Sequence, residues 1–361
     1  MLNRYLTLLI PAVALSLCAC AAPKEVPTRY LVPLPPEKPL VEWLGTYTSA
    51  DDFPKTEAQK RMEQIVGKPP LESLLGPSGI AADGEGKVFI GDLYAHNIWV
   101  YDLKSSTVNK LFDGDVADFE PRHMTIDARK RIFLADSKAR VVKIFSREGA
   151  YIGQFGTGQL EKPIGLALDE GRRRLYVSDA AVHQVKAFDL DSGKLLFAMG
   201  EVGDGPGKLY SPAGLAVDAA GQIFVVELFN ARLSIFNPDG TFVRYFGERT
   251  DSLRGLENPR AASFDSEGNL WIIDFRRGAI RAFDVEGTLL FAMEGQSGHK
   301  MGLSNPAALY IDGNDEIYIA DFIGRRFAHW RYLSKKALAA HPVSEEDKTR
   351  ILEQFGGKAV K

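Results

Sequence analysis

Six times along this chain a proline is followed, six residues later, by an aspartate, and the residues between are mostly small or apolar. The segments are Pro77-Ser-Gly-Ile-Ala-Ala-Asp83, Pro121-Arg-His-Met-Thr-Ile-Asp127, Pro163-Ile-Gly-Leu-Ala-Leu-Asp169, Pro212-Ala-Gly-Leu-Ala-Val-Asp218, Pro259-Arg-Ala-Ala-Ser-Phe-Asp265 and Pro306-Ala-Ala-Leu-Tyr-Ile-Asp312. Their starts lie 44, 42, 49, 47 and 47 residues apart. A period of that length marks one supersecondary unit copied along the chain, in an array or a propeller.

Each unit continues with a turn and a second apolar run that ends in an acid: Asp92, Asp136, Asp179, Glu227, Asp274 and Asp321. A third run follows, such as Ile98-Trp-Val-Tyr101 or Leu233-Ser-Ile-Phe236, and in five units a fourth run ends near a glycine. Short β-branched and aromatic runs bounded by turn residues are strands. Four strands in each of six units describe an all-β, six-bladed propeller. The sixth unit lacks its fourth strand, and Leu40-Val-Glu-Trp-Leu-Gly45 has the missing pattern. This N-terminal strand is therefore expected to complete blade six and close the ring, which removes an unpaired sheet edge. Residues 56–66 read as a short helix. Ser344-Glu-Glu-Asp347 reads as the capping box of a C-terminal helix that ends at Gly356-Gly357.

The units resemble NHL repeats, most closely from Pro212-Ala-Gly-Leu-Ala-Val-Asp218 through Asn230-Ala-Arg232 and Pro238-Asp-Gly240 to Gly247. The resemblance runs from residue 77 to about 333 and implies the fold. It does not imply an activity, because the same scaffold carries binding modules and enzymes.

With 45% apolar and 25% charged residues, the chain of 361 residues has the balance of a soluble globular protein. Its net charge of −3 gives no bulk attraction to nucleic acid. The two cysteines, Cys18 and Cys20, allow no disulfide framework, Cys-rich zinc site or haem attachment.

Those cysteines close an address segment. Arg4 is followed by an apolar run from Leu6 to Leu17 that is too short to span a bilayer. Leu17-Cys18-Ala19-Cys20 resembles the lipobox of bacterial lipoproteins, which implies cleavage after Ala19 and acylation of Cys20. Ala21, rather than Asp, implies export to the outer membrane. The reading gives four parts: a lipoprotein signal peptide (1–19), a Pro-rich tether (20–39), the propeller (40–333) and a helical tail (334–361). The lipid bilayer is the partner of the acylated Cys20.

Several residue groups are candidates for chemistry. The repeated acids each close a strand and accept hydrogen bonds from the turn that follows, a structural role. The run Gly200-Glu-Val-Gly203-Asp-Gly205-Pro-Gly207 lacks the Lys-Ser/Thr of a phosphate loop and reads as a connector. His96, His123 and His183 are the residues a zinc lyase on this scaffold would recruit, although only His123 lies at an innermost-strand entrance. The entrances carry Arg122 and Arg260 and no acid, which argues against calcium chemistry there. The loops on the same face add Tyr94, Phe229, Phe275 and Arg276, and arginines and aromatics are the types enriched at binding hot spots.

Tyr94, Arg122, His123, Phe229, Arg260, Phe275 and Arg276 are thus the expected partner-binding residues. The expected function is a lipid-anchored envelope protein that binds a protein, peptide or anionic ligand through one propeller face. No residue pattern calls for a cofactor. The alternative is a propeller metalloenzyme of the envelope, a zinc lyase or a lactonase-like hydrolase.

Overall fold

The computed structural model describes residues 29–33, 37–68, 72–112, 119–295 and 301–354. The signal segment, Cys18, Cys20 and the first residues of the tether lie outside the described residues, as do Gly356 and Gly357.

Six antiparallel sheets are arranged around an axis. Five of them take all four strands from consecutive sequence: Pro77–Lys110, Pro121–Phe155, Pro163–Met199, Pro212–Phe246 and Pro259–Glu294. These are blades one to five. Blade six takes Pro306–Ile311, Glu316–Asp321 and Arg326–Tyr332, and then strand β2 (Val41–Tyr47) from the N-terminus. Val41 pairs with Tyr332 and Tyr47 with Phe327, so the two ends of the chain close the ring. The innermost strand of each blade packs against that of the next, and the sixth packs against the first.

The core is divided as this topology requires. Alternate residues of each strand face opposite sides of the blade, so each blade contributes to two apolar layers. Six clusters of buried side chains result, each containing residues from a pair of neighbouring blades. The layer between blades six and one is aromatic, with Tyr47 stacked on Phe327 at 4.9 Å and Tyr101 edge-on to Phe327 at 5.0 Å.

One expectation is corrected. The tether expected to run to residue 39 contains strand β1 (Tyr30–Val32), which pairs with β2 and gives blade six a fifth strand. Prolines at 27 and 33 leave a proline-free interval long enough for three ladder residues. Leu31 is buried in a small cluster with Leu333 and Ile351. Arg29 reaches the carboxylate of Glu42 at 2.6 Å and that of Asp347 at 3.5 Å.

Helix α1 (Glu57–Val66) is capped by Thr56, and α2 (Lys335–Ala340) by Ser334. Helix α3 (Glu345–Gln354) begins with the expected box, in which the Asp347 amide donates to Ser344 Oγ and the Ser344 amide donates to the Asp347 carboxylate, both at 3.0 Å.

Candidate functional site

The innermost strands all begin on one face, and in every blade the register shifts just after the leading proline. Such irregularities re-aim side chains at the rims of closed sheets. This face, which also carries the loops between second and third strands, is the mouth of the axial channel.

The repeated acids hold the mouth together. Asp92 accepts the amides of Leu75, Gly76, Tyr94 and Ala95 at 2.7 to 3.1 Å, which ties an inter-blade loop to the loop of its own blade. Third-strand cations neutralise four of the six second-strand acids: Lys143 with Asp136, Lys186 with Asp179, Arg232 with Glu227 and Arg326 with Asp321. In the glycine-rich connector, the carbonyl oxygens of Gly203 and Asp204 accept hydrogen bonds from Asn230 and Arg232.

Arg122 and Arg260 project from blades two and five, on opposite sides of the ring. The Arg122 guanidinium donates to Ser137 Oγ at 2.9 Å and to the Glu120 carboxylate at 3.1 Å. Arg260 donates to Asn258 Oδ1 at 3.0 Å and lies 4.7 Å over the ring of Phe275. Among the described residues it has no carboxylate partner. Burial, and secondarily the charge of Arg122, push its pKa down. Of the two guanidiniums at the innermost-strand entrances, one is thus compensated and the other has no carboxylate partner among the described residues, and each lies within electrostatic reach of the other. Arg276 lies outside this pair, exposed and 3.2 Å from Glu257.

Around them the loops present apolar side chains to solvent. Tyr94 is 61% exposed, Phe229 58% and Ile323 61%, with Tyr210 and Val182 also exposed. Tyr94 packs on Phe322 at 5.4 Å and Phe229 on Tyr210 at 5.1 Å, so the rings are held in place while still facing water. Ile323, Tyr210 and Val182 were missed in the sequence. Val182 shares its loop with His183, Ile323 follows the strand-ending acid Asp321 by two residues, and Tyr210 is legible only once the inter-blade loops are placed beside them.

The three histidines of the metal alternative are not brought together. His96 Nδ1 is 2.8 Å from the Phe119 carbonyl oxygen, and His183 Nδ1 accepts the Ser211 amide at 3.0 Å. Among the described residues no three His, Cys, Asp or Glu side chains cluster as a metal ion would need.

His123 sits below the mouth rather than in it. It lines an axial cavity of about 230 Å³ whose walls include Leu166, Leu168, Leu215, Val217, Phe264 and Leu309. The remaining polar lining is Thr125, Ser263, Tyr310 and Glu170. His123 is 8% exposed, its Nδ1 has no hydrogen-bond partner, and burial pulls its pKa down to about 4. The imidazole is thus neutral at neutral pH.

Fold and repeats together define an NHL-like six-bladed β-propeller, and the comparisons with known proteins agree. No protein-family model matches the chain. A stretch of 116 residues, 31% of this chain, is 29% identical to a probable peptidyl-α-hydroxyglycine α-amidating lyase of Caenorhabditis elegans and covers 33% of it. Another of 134 residues, 36% of this chain, is 28% identical to the protein brain tumor of Drosophila melanogaster and covers 12% of it. The chain thus spans a third or less of these curated relatives. Among solved structures, a Bacteroides thetaiotaomicron protein of unknown function superposes with a TM-score of 0.61 at 18% identity, over 79% of this chain and 75% of that one. A gluconolactonase of Xanthomonas campestris gives 0.56 at 15% identity, over 80% and 98%. These likenesses show the fold, which is shared by lyases, lactonases and NHL proteins.

Proposed function

We propose that this protein is a lipid-anchored binding protein of the bacterial envelope, held to the outer membrane through Cys20, which uses the channel-mouth face to dock a protein or peptide partner. The observation that carries the reading is the composition of that face: fixed, solvent-exposed aromatic and aliphatic side chains share it with a guanidinium, that of Arg260, which has no carboxylate partner among the described residues. Exposed apolar groups and a desolvated arginine on one face are the elements of an interface hot spot. An acidic group of the partner would complete Arg260, while Tyr94, Phe229 and Ile323 would bury apolar area.

The test is a variant carrying Phe229→Asp and Arg260→Glu. It should retain the wild-type melting temperature to within a few degrees, since Phe229 is exposed and the half-buried Arg260 makes no ion pair with a described residue that the fold would lose. Its capture of the partner from envelope extract should fall more than tenfold, because an interfacial charge pair contributes about 2–5 kcal/mol. Undiminished capture of the same partner would refute the reading.

The metalloenzyme reading draws on the partial similarity to an amidating lyase. It has no set of described side chains that could hold the metal, and we derive no step through one. A stoichiometric zinc or calcium ion in the purified full chain would restore it.

A further inference from the structure

The axial cavity is a site that the docking surface does not use. Three of the six innermost strands have glycine two residues after the leading proline, at Gly79, Gly165 and Gly214. A Cβ at Gly79 would lie 3.1 Å from the Arg122 carbonyl oxygen, and one at Gly214 2.5 Å from the Ala261 Cα. At Gly165 it would run into the Ala213 carbonyl oxygen. Neighbouring backbones therefore close on one another at this level, and two further blades have only Ala261 and Ala308 there. Blade two instead has His123.

A large polar side chain thus occupies the level where the other five blades keep the smallest residues, and its Nδ1 is buried without a partner. An unsatisfied buried nitrogen costs about 1–3 kcal/mol. The other ring nitrogen, Nε2, is not enclosed in this way, also makes no hydrogen bond to a described residue and is the one left for a ligand to meet. Three more polar side chains line the same cavity. Thr125, Ser263 and Tyr310 make no side-chain hydrogen bond to any described residue. The single charged lining residue is already satisfied, since Glu170 accepts the Ala128 amide at 2.7 Å and pairs with Arg173 at 2.6 Å.

We propose that this cavity, with His123, Thr125, Ser263 and Tyr310 as its polar contacts, is a binding site for a small, uncharged, largely apolar molecule bearing a hydroxyl or carbonyl group. Apolar walls with a few convergent polar groups are the usual make-up of a small-molecule site. The absence of an uncompensated charge among its lining residues selects against carboxylates and amines, because an ion taken from water would find no counter-charge. The imidazole can donate from one ring nitrogen and accept at the other, so it suits either a hydroxyl or a carbonyl. The volume far exceeds what one water needs, so a water-filled cavity is the competing outcome. This inference does not depend on the partner reading, because the cavity lies inside the ring and the docking residues lie on its rim.

The experiment uses the full chain with ¹⁵N-labelled histidine and two probes of equal bulk, cyclohexanol and cyclohexanecarboxylate. Cyclohexanol should shift the ring-nitrogen resonances of His123 saturably and leave those of His96 and His183 in place. Cyclohexanecarboxylate should bind at least tenfold more weakly. Ser263→Leu, which fills the cavity, should abolish the shift. His123→Gly, which restores the residue found in three other blades, should weaken cyclohexanol binding about fivefold to tenfold by calorimetry. If neither probe moves His123, the cavity holds water only and the proposal fails. Tighter binding of the carboxylate would overturn the assigned ligand class. The wild-type resonances decide the matter even if a variant does not fold.

Discussion

Replacing Glu42 by alanine should weaken the closure of the ring more than any single change on its surface. Glu42 lies on β2, is 5% exposed, and accepts from Arg29 at 2.6 and 2.8 Å and from Arg331 at 3.2 Å. Arg331 continues the row to Glu316 at 2.8 Å, and Glu316 is met by His329 and by the Tyr318 hydroxyl, both at 2.9 Å. The row crosses β2, the adjacent strand Arg326–Tyr332 and the strand Glu316–Asp321 beyond it, so it joins the N-terminal strand to the sheet that the C-terminal part of the chain builds. Removing the carboxylate leaves two guanidinium groups with 18% and 12% side-chain exposure facing each other. Breaking a buried pair from one side costs about 3–5 kcal/mol, whereas an exposed pair is worth about 0–1 kcal/mol. Glu42→Gln retains an acceptor and should lose only about 1–2 kcal/mol. Guanidinium denaturation at neutral pH measures both, and the alanine variant should also melt earlier at high salt, since buried charges are poorly screened. A loss below about 1 kcal/mol for Glu42→Ala would show that the row does not hold the closure.

Other outcomes follow from the same geometry. Cys20→Ser should abolish incorporation of a clickable fatty acid, and retained label would contradict the anchor. Deleting residues 21–28 should leave the melting temperature unchanged, while deleting 21–39 should lower it through loss of β1 and of the Arg29 contacts. Equal melts would contradict the fifth strand. Burial raises the Glu316 carboxyl, but His329, Arg331 and Tyr318 outweigh it and hold its pKa at about 2. Its share of stability, about 3 kcal/mol, should be complete above about pH 4.5 and be lost as pH falls through 2. The depressed pKa of His123, about 4, adds a similar contribution that is complete above about pH 6.5 and lost as pH falls through 4. In His123→Gly, acid titration followed by urea melts should lack that earlier phase. Gly165→Ala should destabilise by about 1–3 kcal/mol in a denaturant melt, because its Cβ meets the Ala213 backbone of the next blade.

The ring was legible in the sequence because its determinants are local and repeated. Pro-to-Asp segments, strand-length apolar runs and turn residues recur with each blade, and even the strand at residues 40–45 is recognisable as the one the last unit lacks. β1 was not, because the prolines around Thr28-Arg-Tyr-Leu-Val32 give that interval the composition of a tether, and its ladder depends on β2 and α3 being in place. The mouth was legible by residue type but not by role. Arg122 and Arg260 occupy the same position in their repeats, yet Glu120 and Ser137 satisfy one while the other stacks on Phe275. The cavity was marked by a departure from pattern, a histidine where the repeat has glycine. Thr125, Ser263 and Tyr310 carry no such mark, since at the fifth position of an inner strand only the ring itself decides what faces the axis.

The proposed docking face is tested most directly by photo-crosslinking in cells, with p-benzoylphenylalanine placed in turn at Phe229, at Ile323 and at Tyr151 on an outer strand. Crosslinks to one partner from 229 and 323, lost when Arg260→Glu is added and absent from 151, are the expected pattern. The same partner captured from 151, or captured from 229 irrespective of Arg260, would place the binding surface elsewhere on the ring.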